Sequence, residues 1–183
     1  MATASRLSTS VLLTCAAIGV ATGALQVGAG AVSGFVSAGA PILYGLVLGV
    51  HVLPGVVAQQ LLRRPWVALL THFVAALVAS AVAPIWIGRY LGTALLIGGL
   101  QEGIAALSRY KRWEAWRFYL SAIIIGSVIA AAIWFAADVS RFPLWGQIIY
   151  VALFILGPVL WTAAGLAVGS ALRRAGVARG AQR

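Results

Sequence analysis

The chain has 183 residues, 62% of them hydrophobic and only 9% charged, at a mean hydropathy of +1.02. That composition leaves too little polar surface to cover a water-soluble fold, so the surplus apolar area requires lipid. Thirteen basic residues stand against three acidic ones, but they sit in short loops between apolar runs rather than on one solvated face, which excludes nucleic acid as the partner.

Six apolar stretches approach the roughly 20 residues a membrane helix needs: 8–28, 41–62, 66–86, 91–108, 118–137 and 146–171. No segment alternates like a barrel strand. The expectation is an all-α polytopic bundle of six transmembrane helices in one integral membrane domain, 1–183.

In the first stretch, Arg6 precedes an apolar run, and Leu12-Leu13-Thr14-Cys15 has a faint likeness to a lipoprotein cleavage box. Thr14 is bulkier than such a site wants, and the run continues to Val27, so this segment is read as a retained span. Cys15 is the only cysteine, which rules out an intramolecular disulfide or a cysteine metal cage. Small residues recur at four-residue spacing (Ala17 and Ala21, Gly19 and Gly23, Ala24 and Gly28) and let helix backbones approach closely. They serve either internal packing or the docking of another membrane subunit. Residues 29–40, uncharged and carrying Gly30, Gly34 and Gly39, read either as a flexible outer lid or as a glycine-rich connector partly folded into the neighbouring helices.

The second stretch carries His51 near its middle and Pro54, which frees the carbonyl of Val50; Pro158 in the sixth does the same for Phe154. The third carries His72, and the fourth Gln101 and Glu102. Ionisable groups at membrane depth are costly and face a cavity or a partner, so His51, His72, Gln101 and Glu102 form a candidate buried polar cluster. Glu102 is expected to pair with one of the histidines, the alternative being separate satisfaction by backbone carbonyls and water. Towards the outer side gather Trp86, Tyr90, Trp134, Trp145 and Tyr150, with Asp138 and Gln147 beside them. They read either as an interfacial aromatic belt or as a cage for a flat or cationic ligand; Asp138 could equally pair with Arg141. Trp113 and Trp116 in the basic segment 109–117 anchor at the cytoplasmic interface.

Orientation follows from the basic residues, since positively charged loops stay in the cytoplasm. With both termini inside, Arg6, Arg63, Arg64, Arg109, Lys111, Arg112, Arg117, Arg173, Arg174, Arg179 and Arg183 are all inner, leaving Arg89 and Arg141 outside. Lys111 is the only lysine and follows no glycine-rich phosphate loop, so any ATP-driven work falls to partners. His51 and His72 stand in no paired metal motif, and the serines lack an accompanying base. No enzyme activity, metal site or cofactor is expected.

Pro41 with Tyr44-Gly45, Arg64-Pro65, Ala75-Ala76-Leu77-Val78, Gly98 with Gln101, Arg109-Tyr110, and Ala171-Leu172 to Ala175-Gly176-Val177 occur in an order and spacing that resembles the substrate-capture subunits of energy-coupling factor (ECF) transporters. Among these, the chain looks most like the YkoE-like group associated with thiamine and its hydroxymethylpyrimidine precursor. The resemblance covers roughly residues 41–178. It implies six helices with both ends cytoplasmic in the plasma membrane, capture of a small vitamin-like compound from outside, and release driven by a membrane coupling subunit and two ATPases. It also implies that a small-residue motif on the first helix docks the coupling subunit, here Ala17 and Ala21, and that residues 29–40 act as a gate. Where the family carries acidic residues on the third and fourth helices, this chain has His72, Ala79 and Ala106, which removes much of the acidic surrounding a thiazolium would need. A membrane scaffold acting through helix packing and a stand-alone oligomeric facilitator are the competing readings.

Overall fold

A computed structural model describes residues 8–177. Arg6, Arg179 and Arg183, counted above among the inner basic residues, lie outside the described residues. Among the described residues, seven α-helices build six rods: α1 (Thr9–Gly39), α2 (Tyr44–Leu48) and α3 (Leu53–Leu62) in one broken rod, α4 (Val67–Val82), α5 (Ile87–Leu107), α6 (Ala115–Ala136) and α7 (Leu144–Arg174). Five rods are long and apolar enough to cross a membrane, whereas α4, with 16 residues, is shorter. The architecture is all-helical, with five or six apolar helices as a membrane bundle requires.

α1 runs eleven residues past the boundary read from sequence, so residues 29–39 are not a lid; they fold into the neighbouring helix, and more completely than a partly folded connector, as the last three turns of a 31-residue helix. The physical reason is the medium. Glycine weakens a helix in water by about 1 kcal/mol relative to alanine, but in lipid an open backbone group is worse than a poor helix former. The helix stops only at Ala40 (φ −148°), whose successor Pro41 disfavours helical geometry.

The second rod is the central one and is mostly buried, whereas most of α7 is not. It narrows to a tight helical turn over Gly49–Val52, ahead of Pro54. The Val50 carbonyl does not stay free as expected, because the Leu53 amide donates to it. His51 Nδ1 lies 3.0 Å from the Leu48 carbonyl and turns back on its own helix.

One apolar cluster, from Val11 and Cys15 through Leu61, Leu62 and Val67 to Leu172, joins α1, α3, α4 and α7 at the end that carries both termini. A second, built around Ile97, Ile125, Tyr150 and Phe154, joins the second rod to α5, α6 and α7. Around this core the large side chains Phe35, Ile85, Leu107, Phe135 and Leu144 are more than two-thirds exposed, as a lipid-facing surface allows.

Candidate functional site

Three elements converge at the end opposite the termini: the last turns of α1, the start of α2, and the Pro84–Trp86 turn leading into α5. They enclose a cleft of about 640 Å³ whose polar wall is Ser33, Ser37, Tyr44, Arg89 and Tyr90, with Trp86 beside them. Arg89 Nη2 donates to the Tyr44 hydroxyl at 3.1 Å, and its guanidinium stands 5.4 Å from the centroid of the Trp86 ring. The Tyr44 ring is fixed from behind by Phe154, edge to face at 6.0 Å. Ser33 is 5% exposed, and its Oγ has no hydrogen-bond partner. Gly30 leaves room for the Tyr90 hydroxyl, which would lie 3.4 Å from any β-carbon placed there.

Of the seven residues nominated as a ligand cage, only Trp86 and Tyr90 line this cleft. Trp134 and Tyr150 pack on each other between α6 and α7, with ring centroids 5.9 Å apart, and Tyr150, 2% exposed, donates to the Ala130 carbonyl at 3.3 Å. Asp138 pairs with Arg141 at 2.5 Å and accepts from Ser140. Gln147 donates to the carbonyls of Ser140 and Phe142, so this turn is knitted to itself. Trp145 is 61% exposed. The seven therefore do not form one cage: Trp86 and Tyr90 line the cleft, Trp134 and Tyr150 pair between α6 and α7, and Asp138 and Gln147 hold the α6–α7 turn.

The polar residues at membrane depth are all buried, but the expected contact of Glu102 with a histidine is not present. His72 Nε2 instead meets Gln101 Oε1 at 2.9 Å, and Gln101 Nε2 donates to the Val52 carbonyl at 3.0 Å. Glu102 accepts from the backbone amides of Trp66 at 3.0 Å and Ala68 at 2.7 Å. Gln59 Nε2 lies 3.5 Å from its Oε1. The cause is positional: successive helical side chains point about 100° apart, so Gln101 faces the second rod and α4 while Glu102 reaches the amides that open α4. At the same end, Arg117 of α6 donates to the carbonyls of Ile104 and Arg112 and to the Ser108 hydroxyl, capping the end of α5.

Two groups in the loops at that end are shifted. Burial, then the charge of Glu102 and a hydrogen bond to it, push the Tyr110 phenol up to about 12. Burial, then the neighbouring charge of Arg173, lower the pKa of Arg63. Arg63, Arg64 and Arg173 share a cavity of about 400 Å³.

The small residues of α1 divide by face. Gly19 and Gly23 lie against α4, where a β-carbon would come within 2.7 Å of Val74 and of the Ala75 carbonyl. Ala17, Ala21, Ala24 and Gly28 are exposed. The last two border an apolar groove of about 790 Å³ that continues along the second rod to Leu160 and Trp161 of α7.

Sequence reasoning missed Arg89, Tyr44 and Ser33 as cleft residues and Gln59 and Tyr110 as partners of Glu102. The signal for the cleft in the sequence is Arg89 itself, set between Trp86 and Tyr90.

An all-helical membrane bundle with a polar cleft at one end is the form of a substrate-binding membrane subunit. The fold is similar to that of a crystal structure described as an S-component of an ECF transporter, at a TM-score of 0.82 over 96% of this chain and 90% of that chain, with 18% identity. The family model for the permease component of the ABC-type cobalt transport system matches residues 11–129, and the chain belongs to that family. No curated protein matches it.

Proposed function

We propose that this multi-pass membrane protein is the non-catalytic capture subunit of an ECF-type importer in the plasma membrane, and that it takes a small, flat, vitamin-like compound into the cleft between α1, α2 and α5. The observation that carries the reading is the cleft itself: Trp86, Tyr90, Tyr44 and Arg89 gathered around about 640 Å³ at one end of the bundle, a volume and composition suited to a one- or two-ring ligand. The charge pattern supports six spans with both termini cytoplasmic, which sets this cleft on the outer side. The exposed row Ala17, Ala21, Ala24 and Gly28, with the apolar groove next to it, suits close approach by helices of a coupling subunit, with two ATPases supplying the work.

Thiamine or its pyrimidine precursor is the ligand class the sequence resemblance points to. The cleft lining contains no carboxylate to balance a thiazolium, so the pyrimidine ring fits better than the intact cation. A bare cobalt ion is less well served: no three of His, Cys, Asp and Glu come together among the described residues, and the described polar contacts of His51 and His72 are to Leu48 and Gln101.

Native mass spectrometry of the detergent-purified chain should show a co-purified small molecule. Trp86→Ala should lower its affinity about five- to tenfold through lost stacking, and Gly30→Leu should abolish it by filling the cleft. Full retention in both variants would move the site elsewhere. Co-purification with a co-expressed coupling subunit and ATPases separates the importer from a scaffold or a stand-alone facilitator.

A further inference from the structure

We infer that the outer cleft selects a ring compound bearing a negative charge, with the anionic group received by Arg89, Tyr44 and Ser33 and the ring lying against Trp86 and Tyr90. This rests on the reading of the cleft as the ligand site and adds the chemistry of what enters it.

The first ground is the charge inventory. The chain has three acidic residues, and none reaches the cleft: Asp138 is tied to Arg141, Glu102 is spent on the start of α4, and Glu114 immediately precedes α6 at the opposite end. Arg89 therefore has no acidic partner among the described residues, where Asp138–Arg141 is the one ion pair. Arg89 is exposed beside the cleft, and a guanidinium without a counter-charge there attracts an anion and repels a cation. Its place in the first turn of α5, whose start has no side-chain cap, adds the positive end of the helix dipole to the same field.

The second ground is independent of charge and concerns donors. Ser33 Oγ is buried and unpartnered on the α1 wall, a state that costs free energy until an acceptor arrives. The Tyr44 oxygen already accepts from Arg89, which leaves its own proton to give away. Arg89 keeps further N–H groups, and Tyr90 brings another hydroxyl. The lining thus offers donors on both sides and lacks a side-chain carboxylate or carboxamide acceptor, which is the complement of a carboxylate or phosphate.

The third ground is that one approach to Trp86 is already used. The Arg89 guanidinium sits 5.4 Å from its ring, supplying the cation that a cationic ligand would otherwise have to be. A planar neutral or anionic ring does not depend on a cation–π contact and can lie against the remaining surface of Trp86, which is half-exposed.

The anionic group could belong to a soluble ring compound or to a phospholipid headgroup; the aromatic lining of Tyr44, Trp86 and Tyr90 favours the soluble ring compound. The test uses the full chain in non-ionic detergent and in lipid nanodiscs, with matched probes: hydroxymethylpyrimidine against its phosphate ester, nicotinate against nicotinamide, and thiamine as the cation. In at least one pair the anion should bind about tenfold to a hundredfold more tightly than its neutral partner, and thiamine more weakly than either. Arg89→Gln should erase that preference, Ser33→Ala should reduce it severalfold, and Arg141→Gln, on the other outer loop, should leave it unchanged. If neutral and anionic partners bind alike, Arg89→Gln has no effect, and Trp86→Ala still weakens binding, the charge inference falls while the cleft stands. If no anionic probe binds saturably up to millimolar concentration, the inference falls as well. Loss of the co-purified molecule in Gly30→Leu then decides separately whether the cleft is the site. Protection given only by phosphatidylglycerol in the nanodisc, and by no soluble probe, assigns the site to a headgroup and overturns the proposal.

Discussion

Glu102 is 3% exposed, and no basic side chain lies within ion-pair distance of it among the described residues. Its charge is carried by hydrogen bonds to the amides that begin α4, an N-cap supplied from another helix, reinforced by the helix dipole. Two of its partners, Trp66 (φ 68°) and Tyr110 (φ 57°), hold left-handed backbone, which costs about 1 kcal/mol or more per non-glycine residue. The carboxylate offsets that strain by fixing both loops. Glu102→Ala, which leaves buried donors unpaired, should therefore destabilise the detergent-solubilised chain by about 2–3 kcal/mol, and Glu102→Gln by less; an unchanged thermal melt for Glu102→Ala would refute the cap. Tyr110 supplies the pH dependence. Its phenol is raised from 10.0 to about 12, so the folded state holds a proton the unfolded state has lost, and the contribution is complete below pH 10 and disappears as pH climbs towards 12. Tyr110→Phe should flatten that alkaline decline in a melting-temperature series, and a series identical to wild type would place the phenol away from Glu102.

At the scale of elements, glycine decides how closely the rods can approach. Gly49 in the tight turn of the second rod lies against the Gly157 backbone of α7, and Gly45 against that of Phe154, so these rods touch main chain to main chain. Gly19 and Gly23 give α1 the same intimacy with α4. Where hydrophobic exclusion contributes little between helices, such contact is a main source of association. Gly19→Leu should thus destabilise the isolated subunit by about 1–3 kcal/mol through overpacking, with the loss visible in its melt. Ala17→Leu, on the exposed face, should leave that melt unchanged while reducing recovery of a co-expressed coupling subunit. The opposite pattern would exchange the roles of the two faces.

For the molecule as a whole, the proposed orientation, with the cleft end outside, rests on the distribution of arginine. Cys15 is the only cysteine and is fully buried, so the wild-type chain is a silent background for a membrane-impermeant maleimide. Ser140→Cys, exposed on the α6–α7 turn, should label in intact cells. Lys111→Cys, exposed on the α5–α6 loop, should label only after the membrane is opened. Reversed accessibility would turn the cleft to the cytoplasm, and the capture reading would fail.

Composition and the spacing of apolar runs determined the all-helical membrane class and the approximate place of each rod, because lipid imposes length and internal backbone pairing on any segment that crosses it. The small-residue rows and the buried identity of His72, Gln101 and Glu102 were legible for the same reason, since polar and glycine residues stand out against an apolar background. Other features needed the tertiary structure. Residues 29–39 carry local glycine signals of a loop, and only the surrounding medium and neighbours make them helix. Glu102 chose backbone amides over a histidine because of where α4 begins. Trp86 and Tyr90 met Arg89 and Ser33 while Trp134 and Tyr150 went elsewhere, since periodicity states which face of a helix is apolar but not which helix lies opposite it.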